Sequence, residues 1–188
     1  IETSIYISEL LNKWNIEHTS NVGGYGIIGV LKGKNPDSKV IALRADMDAL
    51  PIIEENNVEY CSINDGVMHA CGHDVHMTCL LGAIKVLSEN RDWFKGSIKF
   101  IFQPAEEGAP LGEKGGAVYM VEEGVMENPK VDAIFGLHAW PGYVGKVYYR
   151  SGPTMAAAAL MKWSLLVWAQ RNWKQTPSKY IQTLRTSP

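Results

Sequence analysis

Residues 97–103, Ser-Ile-Lys-Phe-Ile-Phe-Gln, run directly into Pro-Ala-Glu-Glu-Gly at residues 104–108. The first segment predicts a buried β-strand, because β-branched and aromatic side chains dominate it over a typical strand length. The second segment places two adjacent carboxylates just past the end of that strand. In an open α/β sheet, ligands bind in the crevice outside the carboxyl ends of the strands, so the acidic pair is a candidate part of a site.

Strands and helices are predicted to alternate along the first 159 residues. A helix near the start is indicated by Ile7, Leu10, Leu11 and Trp14, which recur at spacings of three and four residues. Further elements are predicted as strands at residues 26–32, 39–44, 132–138 and 144–150, and as helices at about residues 76–88 and at residues 116–123, ending at Gly124. We therefore expect an α/β fold with a mixed, mostly parallel sheet flanked by helices.

The composition is that of a globular protein. The chain has 188 residues, 46% of them hydrophobic and 20% charged, with a net charge of −2. Near neutrality argues against a nucleic-acid partner, and the apolar stretches are too short to cross a bilayer, so no membrane partner is expected. Three cysteines are too few for a disulfide framework and favour a reducing, cytoplasmic compartment. The chain begins with Ile1 rather than Met, which leaves a signal peptide upstream open.

Residues 160–188 differ in composition from everything before them. They carry five of the 18 basic residues, none of the 20 acidic residues and none of the 18 glycines. Trp163, Trp168 and Trp173 recur five residues apart, which makes a poor helical stripe. We interpret residues 1–159 as one interrupted domain and residues 160–188 as an aberrant or frame-shifted tail. The alternative is a real basic tail that binds a membrane surface or a partner helix.

Reactive side chains are concentrated at the ends of the predicted strands and in the loop before the second helix. Since the carboxyl ends of parallel strands meet at one edge of a sheet, we expect these side chains to share one rim. They are Asp46 and Asp48 after the second strand, Cys71 and His73 in the loop, Glu106 and Glu107 after the third strand, and His138 at the end of the fourth.

The loop segment His-Ala-Cys-Gly-His-Asp-Val-His at residues 69–76 is the most specific signal. Residues two apart in an extended loop can point the same way, so Cys71 and His73 are predicted to bind one metal ion or two neighbouring ones. The competing interpretation, that these groups cap or pack beneath the following helix, suits Asp74 and His76 better.

Glu106 and Glu107 are predicted to divide two roles. Adjacent residues of an extended chain face opposite ways, so one can bind metal while the other faces a water molecule on that metal. Glu122 and Glu123 form an equal pair on a predicted helix, and we interpret them as a solvated face.

Two further interpretations stay open from the residues alone. An Asp of the Asp46-x-Asp48 pair either fixes the tautomer of a ligating histidine or is a turn residue paired with Arg44. His138, at the end of an apolar strand, would by itself be read as a core residue, and only the other candidate residues favour it as a ligand. The sequence has no Gly-x-Ser-x-Gly elbow, phosphate loop or Cys-x-x-Cys pair, so the pattern favours a metal-dependent hydrolase.

Five segments, taken in order, closely resemble one family: the metal-dependent amidohydrolases and peptidases that include hippurate hydrolase, N-acyl-amino-acid amidohydrolase (aminoacylase) and plant auxin-conjugate hydrolase. The segments are ALRADMDALPI (residues 42–52), MHACGHDVHM (68–77), FIFQPAEEG (100–108), GGAVYMVEEGV (115–125) and DAIFGLHAWP (132–141). The resemblance runs to about residue 159. It implies a zinc-peptidase-like catalytic domain, incomplete in this chain, that hydrolyses a small N-acyl amino acid or a short peptide.

The resemblance also implies roles for individual residues. It implies two divalent metal ions (zinc, manganese, cobalt or nickel), with Glu106 as general base and Asp48 as a supporting carboxylate. The implied metal ligands are Cys71, His73, Glu107 and His138. Asp46 stands where relatives outside this branch have a ligating histidine, so its role is left open.

The chain departs from the family after the last matching segment. Family members continue into a lid and dimerisation domain and return with a last metal-binding histidine, whereas no histidine follows His138 here. We therefore expect an inactive or impaired fragment that binds one metal ion or none. The alternatives are a dipeptidase or carboxypeptidase of the same superfamily, and a non-catalytic truncated module.

Overall fold

The strand predicted at residues 97–103 lies in the middle of a mixed β-sheet. The structure is a computed structural model, which describes residues 1–107, 114–142 and 144–149. In the described residues the helices and strands are α1 (Glu2–Lys13), β1 (His18–Val22), β2 (Gly26–Lys32), β3 (Val40–Asp46), α2 (His73–Glu89), a 3-10 turn (Arg91–Trp93), β4 (Ser97–Gln103), α3 (Gly116–Glu122) and β5 (Ala133–Gly136).

The strand order in the sheet is β1-β2-β4-β3-β5. β1–β2 and β2–β4 are antiparallel, whereas β4–β3 and β3–β5 are parallel. The predicted mixed α/β sheet is therefore confirmed, with parallel pairing in half of the described ladders. Because β3, β4 and β5 run in the same direction, their carboxyl ends meet at one edge: Asp46 pairs with Gln103, and Arg44 with Gly136.

Both faces of the sheet are covered over β2, β3 and β4, whereas all four residues of β5 are exposed. On one face, α1 and α2 pack against a core that includes Ile7, Leu11, Ile27, Leu31, Leu80, Ile84, Phe100 and Phe102. The ring of Phe100 leaves no room for a side chain at Gly29 on β2, since a Cβ there would lie 2.1 Å from the ring. On the other face, the residues around α3 make a smaller core of Val22, Ala42, Ile101, Met120 and Val125.

One charged side chain is buried within the smaller core. Lys99 is 1% exposed, and its Nζ donates to the carbonyl oxygens of Val125 at 2.8 Å, Glu127 at 2.6 Å and Pro129 at 3.2 Å. Burial lowers the pKa of this ammonium group, since the charged form loses water. The three carbonyls replace that water and tie the segment after α3 to the centre of the sheet.

The structure corrects several predicted boundaries. β1 was not predicted, because its residues are mostly polar and only its last residue is buried. α2 begins at His73 rather than near residue 76, so His73 belongs to the helix and not to the loop before it. β3 extends to Asp46, and β5 ends at Gly136, which leaves His138 two residues beyond the strand.

The strand predicted at residues 144–150 is wrong over its described part. Residues 144–149 form no strand, and Val144 and Tyr149 are almost fully exposed. β-branched and aromatic side chains favour a strand, but this preference depends on context and does not by itself produce one.

Residues 1–146 make one compact unit, and the fold described above belongs to it. The remaining residues are assigned to a second unit, of which the structure describes only residues 147–149. Arg150, at the end of the last predicted strand, and the tail at residues 160–188 lie outside the described residues. No described helix combines the length and apolar character that a membrane span requires.

Candidate metal centre

The carboxyl-terminal edge of the sheet and the start of α2 bring the predicted site residues together. Ligand atoms of Cys71, His73 and Glu107 lie within 4.8 Å of one another. Nε2 of His138 lies 3.5 Å from Sγ of Cys71. The four side chains predicted as metal ligands thus occupy one place, although they come from α2, the loop before it and the segments after β4 and β5.

His73 is oriented from both sides. Gly72, at φ 79°, takes the left-handed conformation that glycine adopts at no steric cost, and the chain turns there into α2. Nδ1 of His73 then lies 2.9 Å from the backbone carbonyl of Asp48. A carbonyl only accepts, so Nδ1 carries the proton and donates it, which leaves the lone pair of the neutral ring on Nε2.

Nε2 of His73 is the feature that most directly fits a cation. The residue is 1% exposed, and within the described part of the chain this nitrogen has no hydrogen-bond partner. Carboxylate oxygens surround it, at 3.7 Å in Asp46, 3.8 Å in Glu106 and 3.7 Å in Glu107. These separations are too long for hydrogen bonds. They are close to the separation of about 3.4 Å between two ligands of one tetrahedral cation with bonds of about 2.1 Å.

Asp48 holds the acidic loop against His73. Its Oδ2 accepts the backbone N–H groups of Glu106 at 2.8 Å and Glu107 at 3.0 Å, and its Oδ1 lies 3.2 Å from Nδ1 of His73. Ala105 precedes the pair at φ 47°, a conformation uncommon for a residue with a Cβ. Asp48 therefore supports both parts of the site, the two glutamates through its carboxylate and His73 through its backbone carbonyl.

The surroundings of Cys71 are strongly anionic. A hydrogen bond to Glu107, burial, and the negative charges of Glu107, Glu106 and Asp46 raise the pKa of its thiol to about 12. The same negative field attracts a divalent cation, and metal binding by a thiol releases its proton. The thiol and the carboxylates thus suit a metal site better than they suit a site for an anion.

His138 directs its Nε2 towards the sulfur of Cys71. Its Nδ1 donates to the carbonyl oxygen of Ala139 at 2.7 Å, so in the neutral ring the lone pair lies on Nε2, which faces Cys71. Imidazole and thiolate at this spacing are ligands that zinc and related divalent ions accept.

Asp46 contacts Arg44, as one of the two predictions has it, and a histidine that is not among the predicted metal ligands. Its Oδ2 accepts from Arg44 at 2.6 Å, and its Oδ1 lies 2.6 Å from Nδ1 of His76. Burial by itself would raise the pKa of Asp46, but the hydrogen bond from His76 and the positive charge of Arg44 lower it below its usual value. Asp46 is therefore an ionised, buried carboxylate, bonded to His76 and not to His73.

Sequence reasoning gives His76 no role beyond capping the helix or packing beneath it, and the residue is indeed buried, at 2% exposure. Both of its ring nitrogens are bonded, Nδ1 to Asp46 and Nε2 to the backbone N–H of Ala139 at 2.7 Å. Its position three residues after His73 in α2, on the same helix face, was the available signal.

The remaining acidic candidates lie elsewhere. Asp74 is exposed in the first turn of α2. Glu122 pairs with Lys114 at 2.5 Å, and Glu123 accepts the backbone N–H of Gly23 at 2.8 Å. Neither glutamate contributes to the cluster around Cys71.

One family profile and two curated relatives match most of this chain. The profile of peptidase family M20/M25/M40 matches residues 42–184. Thermostable carboxypeptidase 2 of Saccharolobus solfataricus is 46% identical over 162 residues, which cover 85% of this chain and 40% of that protein. An N-acyl-L-amino acid amidohydrolase of Geobacillus stearothermophilus is 45% identical over 160 residues, which cover 83% of this chain and 40% of that protein. The chain thus spans about 40% of the length of these curated relatives.

A solved structure shares the fold. The YXEP protein of Bacillus subtilis, described as a dinuclear metal-binding peptidase of the M20 family, is 43% identical and superposes with a TM-score of 0.67. The match covers 75% of this chain and 38% of that one.

Proposed function

The chain belongs to peptidase family M20/M25/M40, and on that premise we propose that its cluster of Cys71, His73, Glu107 and His138 binds divalent metal for the hydrolysis of the amide bond of an N-acyl amino acid. The observation that carries the proposal is the bare Nε2 of His73. This lone pair is buried among three carboxylates and has no donor within the described residues. A protein rarely leaves such a nitrogen without a partner, and a cation satisfies it.

The proposed ligands divide between neutral and charged donors. Thiolate, carboxylate and imidazole together suit zinc, and such mixed sets also accept manganese, cobalt or nickel. The likeness to the dinuclear B. subtilis peptidase supports two ions in a complete family enzyme. When bound, such ions lower the pKa of a coordinated water molecule and polarise the acyl carbonyl.

Glu106 is the proposed general base. Asp48 fixes its backbone, and its side chain is 39% exposed, so its carboxylate reaches solvent beside the proposed ligands. Oε2 of Glu106 takes a proton from the attacking water and gives it to the nitrogen of the leaving amine. Glu107, whose side chain is more buried at 29%, instead faces Cys71 and His73.

The names of the relatives support the proposed substrate class. The Geobacillus protein named as an N-acyl-L-amino acid amidohydrolase supports an N-acyl amino acid, with the amide carbonyl as the reacting group. The Saccharolobus carboxypeptidase supports a second candidate, in which the substrate is a short peptide. Both reactions need the same attack of water on an amide.

The test is hydrolysis of N-acetyl and N-benzoyl amino acids against dipeptides of the same residues, with and without added zinc, manganese, cobalt or nickel. Because this chain spans only part of its relatives, the assay also uses a chimera that adds the remaining residues of the Geobacillus protein. We expect metal-dependent release of the amino acid from the N-acyl substrates. Release that continues unchanged in the presence of a strong chelator would contradict the proposal.

A further inference from the structure

The buried pair of Asp46 and His76 has no role in the proposed chemistry. Both residues are at most 2% exposed, and they are joined by a bond of 2.6 Å between Oδ1 and Nδ1. Asp46 lies at the end of β3, and His76 lies in the first turn of α2. Burial of an ionised carboxylate with an imidazole is costly unless each polar atom is used, so the remaining contacts of the pair indicate its purpose.

The backbone fixes the tautomer of His76. The N–H of Ala139 lies 2.7 Å from Nε2, and because a backbone N–H only donates, Nε2 must accept. Nδ1 therefore carries the proton and donates it to Asp46. Arg44 holds the other oxygen of Asp46 at 2.6 Å and also donates to Gln103 at 2.8 Å. The ring of His76 is thereby anchored on one side by β3 and β4.

The other side of the ring reaches the proposed metal centre. Ala139 follows His138 directly, and its carbonyl accepts from Nδ1 of His138 at 2.7 Å. The rings of His76 and His138 also meet edge to face, with centroids 4.8 Å apart. His76 thus contacts His138 twice, through the ring and through the residue whose carbonyl sets the His138 tautomer.

Asp46, His73 and His76 also lie close enough together to be considered as three ligands of one cation. Their hydrogen bonds argue against that interpretation. Both nitrogens of His76 are already used, and neither can bind a metal without breaking a bond to Asp46 or to Ala139. Of the two histidines in this trio, only His73 has a ring nitrogen without a hydrogen-bond partner in the described residues.

We infer that His76 is a positioning residue: through its bond to the Ala139 N–H, and held by Asp46, it orients the segment that presents Nε2 of His138 to Cys71. The inference rests on the proposed metal centre. β5 ends at Gly136, so His138 lies on irregular chain and has no strand ladder to fix it. A buried imidazole anchored on β3 supplies the fixed point that the strand does not.

Two conservative variants separate the two bonds of His76. The side-chain oxygen of His76→Gln reaches about as far as Nε2 and can accept from Ala139, whereas the amide nitrogen of His76→Asn reaches only as far as Nδ1 and can donate to Asp46. His76→Ala removes both bonds. Two measurements are made on the 188-residue chain: the exchange rate of the Ala139 amide hydrogen by NMR without metal, and the dissociation constant and absorption spectrum of bound cobalt(II).

We expect Ala139 exchange to become at least about tenfold faster in His76→Asn and His76→Ala, and to stay close to the wild-type rate in His76→Gln. Cobalt binding should weaken about 10- to 100-fold in the first two variants, with a changed cobalt spectrum, and by less than about threefold in His76→Gln. Equal behaviour of the Asn and Gln variants in both measurements overturns the inference, even if His76→Ala fails to fold. Absence of cobalt binding by the unmodified chain would refute the proposed function, and the Ala139 exchange rates would still decide the role of His76.

Discussion

The carboxylate of Asp48 holds the backbone of Glu106: its Oδ2 accepts the Glu106 N–H at 2.8 Å, from a position 58 residues earlier in the chain. The same oxygen accepts the N–H of Glu107 at 3.0 Å. The general base and the neighbouring ligand that we propose are therefore placed by a side chain that takes no part in the reaction itself.

Replacing Asp48 by Ala tests this arrangement. The N–H groups of Glu106 and Glu107 lose their acceptor, and we expect the free energy of unfolding to fall by about 1–3 kcal/mol. Cobalt affinity should fall about 10- to 100-fold, because the loop that carries Glu106 and Glu107 loses its support, whereas the backbone carbonyl that accepts from His73 remains. Urea denaturation and cobalt titration measure the two effects. Asp65→Ala, at an exposed aspartate, is the matched control, and equal losses in both variants would remove Asp48 from its assigned role.

Replacing Glu106 by Gln separates metal binding from proton transfer. The amide keeps the shape and the backbone contact to Asp48 but cannot take a proton. We expect kcat for N-acyl amino acid hydrolysis by the chimera described above to fall about 10²- to 10⁴-fold, with cobalt affinity retained. Glu122→Gln changes a glutamate that pairs with Lys114 and should leave both quantities unchanged. Undiminished turnover in Glu106→Gln would sink the assignment of the base.

Asp132 is expected to make the stability of the folded state fall as the pH is lowered in the acid range. Its carboxylate accepts from Nζ of Lys39 and from the backbone N–H of Val40, each at 2.8 Å, and these two bonds lower its pKa. The folded state therefore binds fewer protons than the unfolded state near the ordinary Asp pKa of about 3.9. The contribution of Asp132 is fully present above that value and is lost as the pH falls through the lower, folded pKa.

The corresponding measurement is the urea midpoint of the wild type and of Asp132→Asn between about pH 6 and about pH 2. The wild type should be the more stable at the upper end, and the difference should shrink towards the acid end. A difference that stays constant over the whole range would show that the ionisation of Asp132 does not contribute.

Lys99 should stabilise the smaller core around α3. Lys99→Met keeps the apolar stem but leaves the carbonyls of Val125, Glu127 and Pro129 without their donor, and we expect a loss of about 1–3 kcal/mol in urea denaturation. Lys95→Met, at an exposed lysine two residues before β4, is the control and should change stability by less than about 0.5 kcal/mol. If the two variants unfold at the same urea concentration, the buried ammonium is not a structural tie.

The elements that local sequence pattern could predict are those with a regular spacing of apolar residues or with a residue that ends a helix. α1 and α3 follow from apolar spacing and from Gly124, which adopts φ 81° past the end of α3. β4 follows from its run of β-branched and aromatic residues. β1 has no such pattern, because it is held by pairing with β2 rather than by its own composition.

The candidate site also has residues that the sequence reveals and contacts that only the fold reveals. Cys71, His73, Glu106 and Glu107 stand out in the sequence because reactive residue types are concentrated in short segments. The bond between Asp46 and His76, and that between His76 and Ala139, join residues 30 and 63 positions apart. Such partners are chosen by the order of strands in the sheet, in which β4 lies between β2 and β3, and no local spacing encodes that order.

The central claim is that Cys71, His73 and Glu107 bind a divalent cation, and the most direct measurement is zinc retained by the purified 188-residue chain after equilibrium dialysis. Cys79→Ser changes an exposed cysteine of α2 and serves as the matched control for Cys71→Ser. We expect the wild type and Cys79→Ser to retain zinc with equal affinity, and Cys71→Ser to bind it at least about tenfold more weakly. A wild-type chain that retains no zinc, or a Cys71→Ser variant that retains as much as the wild type, would contradict the account.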